Sequence, residues 1–297
     1  MTILVVGTGS IGTRHAANLE GLGRRVERLS MRAAGLAGAA ARIAAGGLAG
    51  VVVATETPVR VPVIAAAAAA GLPVYVEKPL AFRAAELAKI DRVAAPVASR
   101  SMLGLMMRYH PEFRELAQAD LSDTYRFSFD IGHDVTQWRA NWRFADSYAA
   151  RAEGGGVLLD LCHELDMAAC LFPAARLGAV ESIGHVGYPG VDMATRISFQ
   201  GAALGTVSMD YLSPVSTRRI DIAGTARRRS VDLLAVTFDR NEMFLAAMRD
   251  WLALVDGRAV SGVEHLPRLD LVGRSSRMVA EAWAARRFVG ELAGDKP

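Results

Sequence analysis

Apolar positions fall into two rhythms along this chain. Up to about residue 110, short fully apolar runs alternate with longer stretches whose apolar positions recur every three or four residues. The runs at 3–6, 26–31, 51–54, 74–76 and 101–106 predict strands. The stretches at 11–22, 33–45, 61–70 and 84–95 predict helices, two of them closed by Gly23 and Gly71. Strands with no polar face are buried on both sides, so this half predicts a parallel sheet wrapped in helices. Beyond residue 110 a period of two takes over, at 125–131, 179–186, 194–199, 203–209 and 219–223. Gly- or Pro-containing turns separate these runs, which predicts a mostly antiparallel sheet. Helical patterns at 114–119, 157–171, 243–254 and 271–292 complete the reading, the second as one long apolar helix. The expected class is α/β: a doubly wound parallel sheet over 1–111, then an α+β domain with a large, mostly antiparallel open sheet over 112–297.

Composition narrows the function classes. With 297 residues, 52% of them hydrophobic, the chain can bury one large core or two ordinary ones. The net charge is +3, and the tightest basic cluster, Arg227-Arg228-Arg229, reads as a solvated turn rather than a nucleic-acid surface. Cys162 and Cys170, if on one helix, lie about 12 Å apart along its axis, too far to bridge. That fits a reducing compartment. The chain opens directly into an apolar strand without a leader pattern. Its longest apolar stretch, 61–76, is broken by Gly71 and Pro73 and is too short to span a bilayer. A soluble, cytoplasmic protein without nucleic-acid or membrane partners is expected.

The chemistry begins at Gly7-Thr8-Gly9-Ser10-Ile11-Gly12, which joins the first strand to the first helix. In that context the three glycines give a tight turn, close approach to a pyrophosphate and close helix–strand packing. Free N–H groups at Ser10, Ile11 and Gly12 then face the anion. The second strand ends Leu29-Ser30-Met31-Arg32, with no acidic residue for ribose hydroxyls; Glu27 lies earlier, inside the strand. Ser30 and Arg32 suit a 2′-phosphate instead, which favours NADP over NAD.

Two further motifs supply acid–base groups. Glu77-Lys78-Pro79 follows the fourth strand, so Lys78 sits at the carboxyl edge of a parallel sheet, where ligands bind. Gly154-Gly155-Gly156 opens the apolar helix that carries Asp160, His163 and Asp166 at three-residue spacing, which places them near one face. Polar groups on a buried helix must be paired or face a cleft. One histidine and two carboxylates can also ligate a metal, but no further His or Cys stands at ligand spacing, and none is expected.

With these motifs, Ala54-Thr55-Glu56-Thr57 and Arg108-Tyr109-His110-Pro111, the chain resembles, over essentially its whole length, the Gfo/Idh/MocA family of glucose–fructose oxidoreductase and inositol dehydrogenase. Ile222-Ala223-Gly224-Thr225 resembles a turn of that family's C-terminal sheet. The resemblance implies an N-terminal Rossmann domain and NAD(P)-dependent hydride transfer at a hydroxyl or keto carbon of a sugar, cyclitol or nucleotide sugar. Lys78, Asp160 and His163 would contact the reacting carbinol. Thr55, Glu77 and Lys78 would join the glycine loop in holding the cofactor. The open sheet would join subunits into a homodimer or homotetramer. Arg108, His110, Trp138, Arg139 and Tyr148 are candidates for substrate contact. The segment from Trp138 to Asp166 resembles a subgroup associated with surface-sugar or secondary-metabolite pathways. Departures are the three-residue spacing of Asp160 and His163, where four is common; Met106 and Met107 before the Arg-Tyr-His-Pro run; Glu56 where proline is common; and Arg60 where histidine is common. Two other classes stay open: a non-oxidative glycosidase or lyase that uses tightly bound NAD transiently, and a cofactor-sensing binding protein.

Overall fold

A computed structural model describes residues 2–137, 143–235, 237–260, 262 and 265–294. Two compact units emerge. The first comprises residues 1–109 and 238–276, the second 110–237 and 277–297.

In the first unit, β1 (Thr2–Val6), α1 (Ser10–Gly21), β2 (Arg25–Leu29), α2 (Met31–Ala44), β3 (Leu48–Val53), α3 (Arg60–Ala69), β4 (Val74–Val76), α4 (Ala84–Ala94) and β5 (Met102–Leu103) alternate along the chain. The five strands are parallel, in the order β2-β1-β3-β4-β5. The order reverses between β1 and β3, the kind of switch point at whose carboxyl ends open α/β sheets generally bind ligands. Ile3 to Val6 and Val51 to Val53 are fully buried, as strands covered on both faces must be. The fifth strand is shorter than the apolar run predicts, because the chain turns into a 3-10 segment at Met106–Tyr109.

Segment 238–276, which the sequence reading assigns to the second domain, packs instead on the first unit. Its helix, which takes the label α8 (Asn241–Val255) in chain order, buries Phe244, Ala247, Met248 and Trp251. The Trp251 ring meets Tyr75 edge-on at 5.8 Å and lies against Gly50, where a Cβ would approach the indole to 3.0 Å. Shape-matched apolar burial, invisible to local periodicity, draws the chain back.

The second unit contains α5 (Pro111–Gln118), β6 (Thr124–Gly132), α6 (Val157–Asp160), α7 (His163–Leu171), β7 (Arg176–His185), β8 (Ala194–Gln200), β9 (Leu204–Asp210), β10 (Thr217–Gly224) and β11 (Arg228–Asp232). It also holds most of α9 (Gly273–Ala285) and all of β12 (Arg287–Leu292). Seven strands form one sheet in the order β11-β10-β6-β9-β8-β7-β12. The β6–β9 and β7–β12 pairs are parallel and the others antiparallel. The inner face alternates with the pleat: Phe127, Phe129, Ile197, Phe199 and Val207 are buried, with Phe127 stacked on Phe172 at 4.0 Å.

Three local expectations change. The single helix over 157–171 is two, separated at Leu161 and Cys162, where Leu161 leaves helical geometry at φ −101°, ψ 26°. The helix over 271–292 stops at Ala285, and its last part is the edge strand β12, whose Phe288 and Val289 favour strand pairing. Arg228 and Arg229 lie in β11 rather than on a turn, and Arg228 stands 3.6 Å from Asp221 of β10. Among the described residues, no helix is long and apolar enough to cross a membrane.

Candidate dinucleotide and catalytic sites

The glycine loop is built as its spacing requires. Gly7 adopts φ +117°, and its N–H donates to Leu29 O at 2.9 Å. A Cβ at Gly7 would collide with the Ala54 carbonyl, and one at Gly12 with the Gly7 carbonyl. Gly9, the N-cap of α1, has open space on its Cβ side and no side chain capping the helix. The first-turn N–H groups at Ser10 and Ile11 thus have no side-chain acceptor, and a pyrophosphate can approach them. Thr55 follows β3 beside this loop. At the end of β2, Arg28 Nη2 donates to Thr13 Oγ1 at 2.6 Å, Ser30 is the N-cap of α2 without a side-chain capping bond, and Arg32 is exposed in its first turn. The Glu27 carboxylate accepts from Arg42 Nε at 2.6 Å.

The turn after β4 is held from two sides. Glu77 is buried, and its Oε1 lies 2.6 Å from Nε2 of fully buried His15 on α1. Gly104 leaves room for that carboxylate, since a Cβ there would come within 2.8 Å of it. Burial pushes the Glu77 carboxyl up, but the hydrogen bond and charge of His15, with Lys78 and Arg60, outweigh it and hold the group below the ordinary carboxylate range. Arg60, at the start of α3, donates to backbone carbonyls of the same turn. Lys78 is half-buried and precedes Pro79 through a cis peptide.

In the second unit Asp160 ends α6 and His163 begins α7; both are buried, at 6% and 7% exposure. The break between them means that they do not share one continuous helical face. Each Asp160 oxygen accepts a phenol: Tyr148 at 2.5 Å on Oδ1 and Tyr211 at 3.0 Å on Oδ2. Burial, then the Asp160 charge, pushes the Tyr211 phenol well above its usual range, so Tyr211 stays a donor. Asp192 anchors the start of α6. It accepts from Leu158 N at 2.8 Å, Thr195 Oγ1 at 2.9 Å and Arg286 Nη1 at 2.8 Å. Gly156, at φ +85°, lies so close to that carboxylate that no Cβ fits.

The other sequence candidates divide. Tyr148 and Asp160 are brought together. Arg108 reaches Ser275 Oγ at 3.3 Å and the His265 carbonyl at 3.4 Å within the first unit. His110 is 1% exposed with Nε2 3.1 Å from Leu233 O, and burial lowers its imidazole pKa. Trp138 and Arg139 lie outside the described residues. Sequence reasoning missed His15, Tyr211 and Asp192, whose partners are 62, 51 and 34 residues distant. Among the described residues no group of three His, Cys, Asp or Glu is placed to hold a metal ion.

No protein-family model matches the chain, and neither does any curated protein sequence. Solved structures do match its fold. GenD2 from gentamicin A biosynthesis, in complex with NAD, superposes with a TM-score of 0.76 at 20% identity, over 96% of this chain and 93% of GenD2. UDP-N-acetylglucosamine 3-dehydrogenase GnnA from Acidithiobacillus ferrooxidans matches with 0.74 at 18% identity, over 96% and 97%. A probable dehydrogenase from Thermotoga maritima gives 0.75 at 17%, over 96% and 95%. Over 96% of its length, this chain has the fold of these dehydrogenases.

Proposed function

We propose that this protein is an NAD(P)-dependent oxidoreductase that moves a hydride between nicotinamide and a hydroxyl or keto carbon of a sugar, cyclitol or nucleotide sugar. The observation that carries the reading is the glycine loop, with Gly9 open and the first turn of α1 uncapped. The fold shared with GenD2, which holds NAD, supports it. The dinucleotide would lie on Gly7, Gly9, Ser10, Ile11 and Gly12, near Thr55 and Lys78. NADP is the preferred form: Glu27 is engaged by Arg42, while Ser30, Arg32 and Arg28 stand at the end of β2. When bound, the dinucleotide supplies the hydride chemistry.

The chain's own groups handle the proton and orientation. His163 takes the hydroxyl proton on oxidation and returns it on reduction; imidazole suits both near neutrality. Lys78 donates to the oxygen that becomes the carbonyl. Asp160, fixed by Tyr148 and Tyr211, orients His163 or a neighbouring hydroxyl. Glu77 contributes through its bond to His15. A homodimer or homotetramer formed through the seven-stranded sheet completes the proposal.

The test is a titration with NADPH and NADH, read by energy transfer from tryptophan to the reduced nicotinamide, followed by a screen of keto-sugars. The expected result is tighter binding of NADPH, weakened in Arg32→Ala, and turnover that falls about 100-fold or more in His163→Ala and Lys78→Ala with cofactor affinity kept. Binding of neither dinucleotide, with none released on denaturation, would refute the cofactor assignment. Unchanged turnover in either variant would remove that residue from the mechanism.

A further inference from the structure

The turn that carries Lys78 is held by one buried cation. Arg60 is 4% exposed, and its guanidinium is directed at backbone oxygens. Nε and Nη2 donate to Thr55 O at 3.1 and 2.8 Å. Nη1 donates to Glu77 O at 2.5 Å and to Pro79 O, and Nη2 approaches Lys78 O at 3.4 Å. Three consecutive carbonyls of the turn thus converge on one side chain, which also grips the loop after β3. A guanidinium can do this because its five N–H groups lie in one rigid plane; an ammonium, an amide or an imidazole offers fewer donors in a different geometry. His15 in turn fixes the Glu77 carboxylate. With its flanking side chain and its carbonyls both restrained, the backbone at Lys78 has one direction to offer.

We infer that Arg60 is a positioning residue for Lys78: by bracketing the carbonyls of residues 77–79 against Thr55, it sets where the lysine side chain points. The inference rests on the reading of Lys78 as the group that polarises the substrate oxygen. Chain composition gives it an assay that needs no turnover, because the sequence contains three lysines, Lys78, Lys89 and Lys296. Protein made with lysine labelled with carbon-13 at Cε gives three signals, assigned through Lys89→Arg and Lys78→Arg.

In Arg60→Gln the Lys78 signal should move while those of Lys89 and Lys296 stay, with NADPH affinity kept within about threefold. Turnover should fall about tenfold to 100-fold, the scale of a misplaced catalytic group. In a Lys78→Ala background the same substitution should change turnover less than about twofold, because the residue through which it acts is gone. Arg60→Lys, which keeps the cation without the fork and adds one lysine signal of its own, identified by its absence from the wild-type spectrum, should shift the Lys78 signal as Arg60→Gln does and replaces that variant if it does not fold. An unmoved Lys78 signal, or an equal loss of turnover in both backgrounds, would overturn the inference. A moved signal in a protein whose Lys78→Ala variant turns over normally would instead overturn the catalytic reading and leave the positioning role standing.

Discussion

Gly156→Ala tests how the loop before Asp160 is built. Two costs add. Gly156 sits at φ +85°, ψ 165°, an extended positive-φ conformation open essentially to glycine alone, where an L side chain costs about 1–3 kcal/mol. The new methyl would also overlap the Asp192 carboxylate, which accepts from Leu158 N, Thr195 Oγ1 and Arg286 Nη1 in a fully buried position. Burial pushes the Asp192 carboxyl up and the Arg286 guanidinium down, and their mutual attraction only partly offsets this. Such a pair contributes little over an apolar replacement, yet breaking it costs about 3–5 kcal/mol. The sum is about 4–8 kcal/mol, a large share of the roughly 5–15 kcal/mol that holds a typical domain folded. Denaturant unfolding of Gly156→Ala, Asp192→Ala and the double variant measures both parts. In the Asp192→Ala background the glycine change should cost only the dihedral strain, about 1–3 kcal/mol, which leaves a coupling of about 3 kcal/mol or more. Strict additivity would refute the overlap.

Two further outcomes follow from the paired groups. The Glu77 carboxyl is held below its ordinary range in the folded protein, so its contribution to stability is present above about pH 4.3 and is lost as pH falls through the lower, folded value; the stability gap between wild type and Glu77→Gln, followed by thermal unfolding from pH 6 to 3, should close on acidification, and a constant gap would contradict the pairing with His15. Tyr211→Phe removes a buried donor from the Asp160 carboxylate and should cost about 1.5–3 kcal/mol. Tyr148→Phe, at a residue 46% exposed, should cost less, and the reverse order in urea unfolding would show that the buried phenol is not the main anchor.

Much of the first unit was legible because its signals are local. The buried strands, the glycine turn and the strand–helix alternation depend on residues a few positions apart, and the five-stranded parallel sheet follows the predicted pattern. The second unit was legible where the pleat alternates, and less so where the chain is tied by distant anchors. The helix break at Leu161 and Cys162 follows a short helix held from outside, by Asp192 at Leu158 near its start and by Tyr211 at Asp160 at its end. The strand β12 exists because β7 lies beside it, and periodicity over 271–292 carries no trace of that neighbour.

Short-range pattern carried the class of fold, the glycine loop and the residue types available for acid–base work, because backbone sterics and hydrophobic period are properties of short segments. Tertiary structure alone decided that α8 returns to the first unit, that Glu77 is met by His15 and Asp160 by two phenols, and that Arg60 brackets the Lys78 turn. Those pairings join residues up to 62 positions apart, and they form because a polar group taken out of water must find a partner wherever the packed chain supplies one.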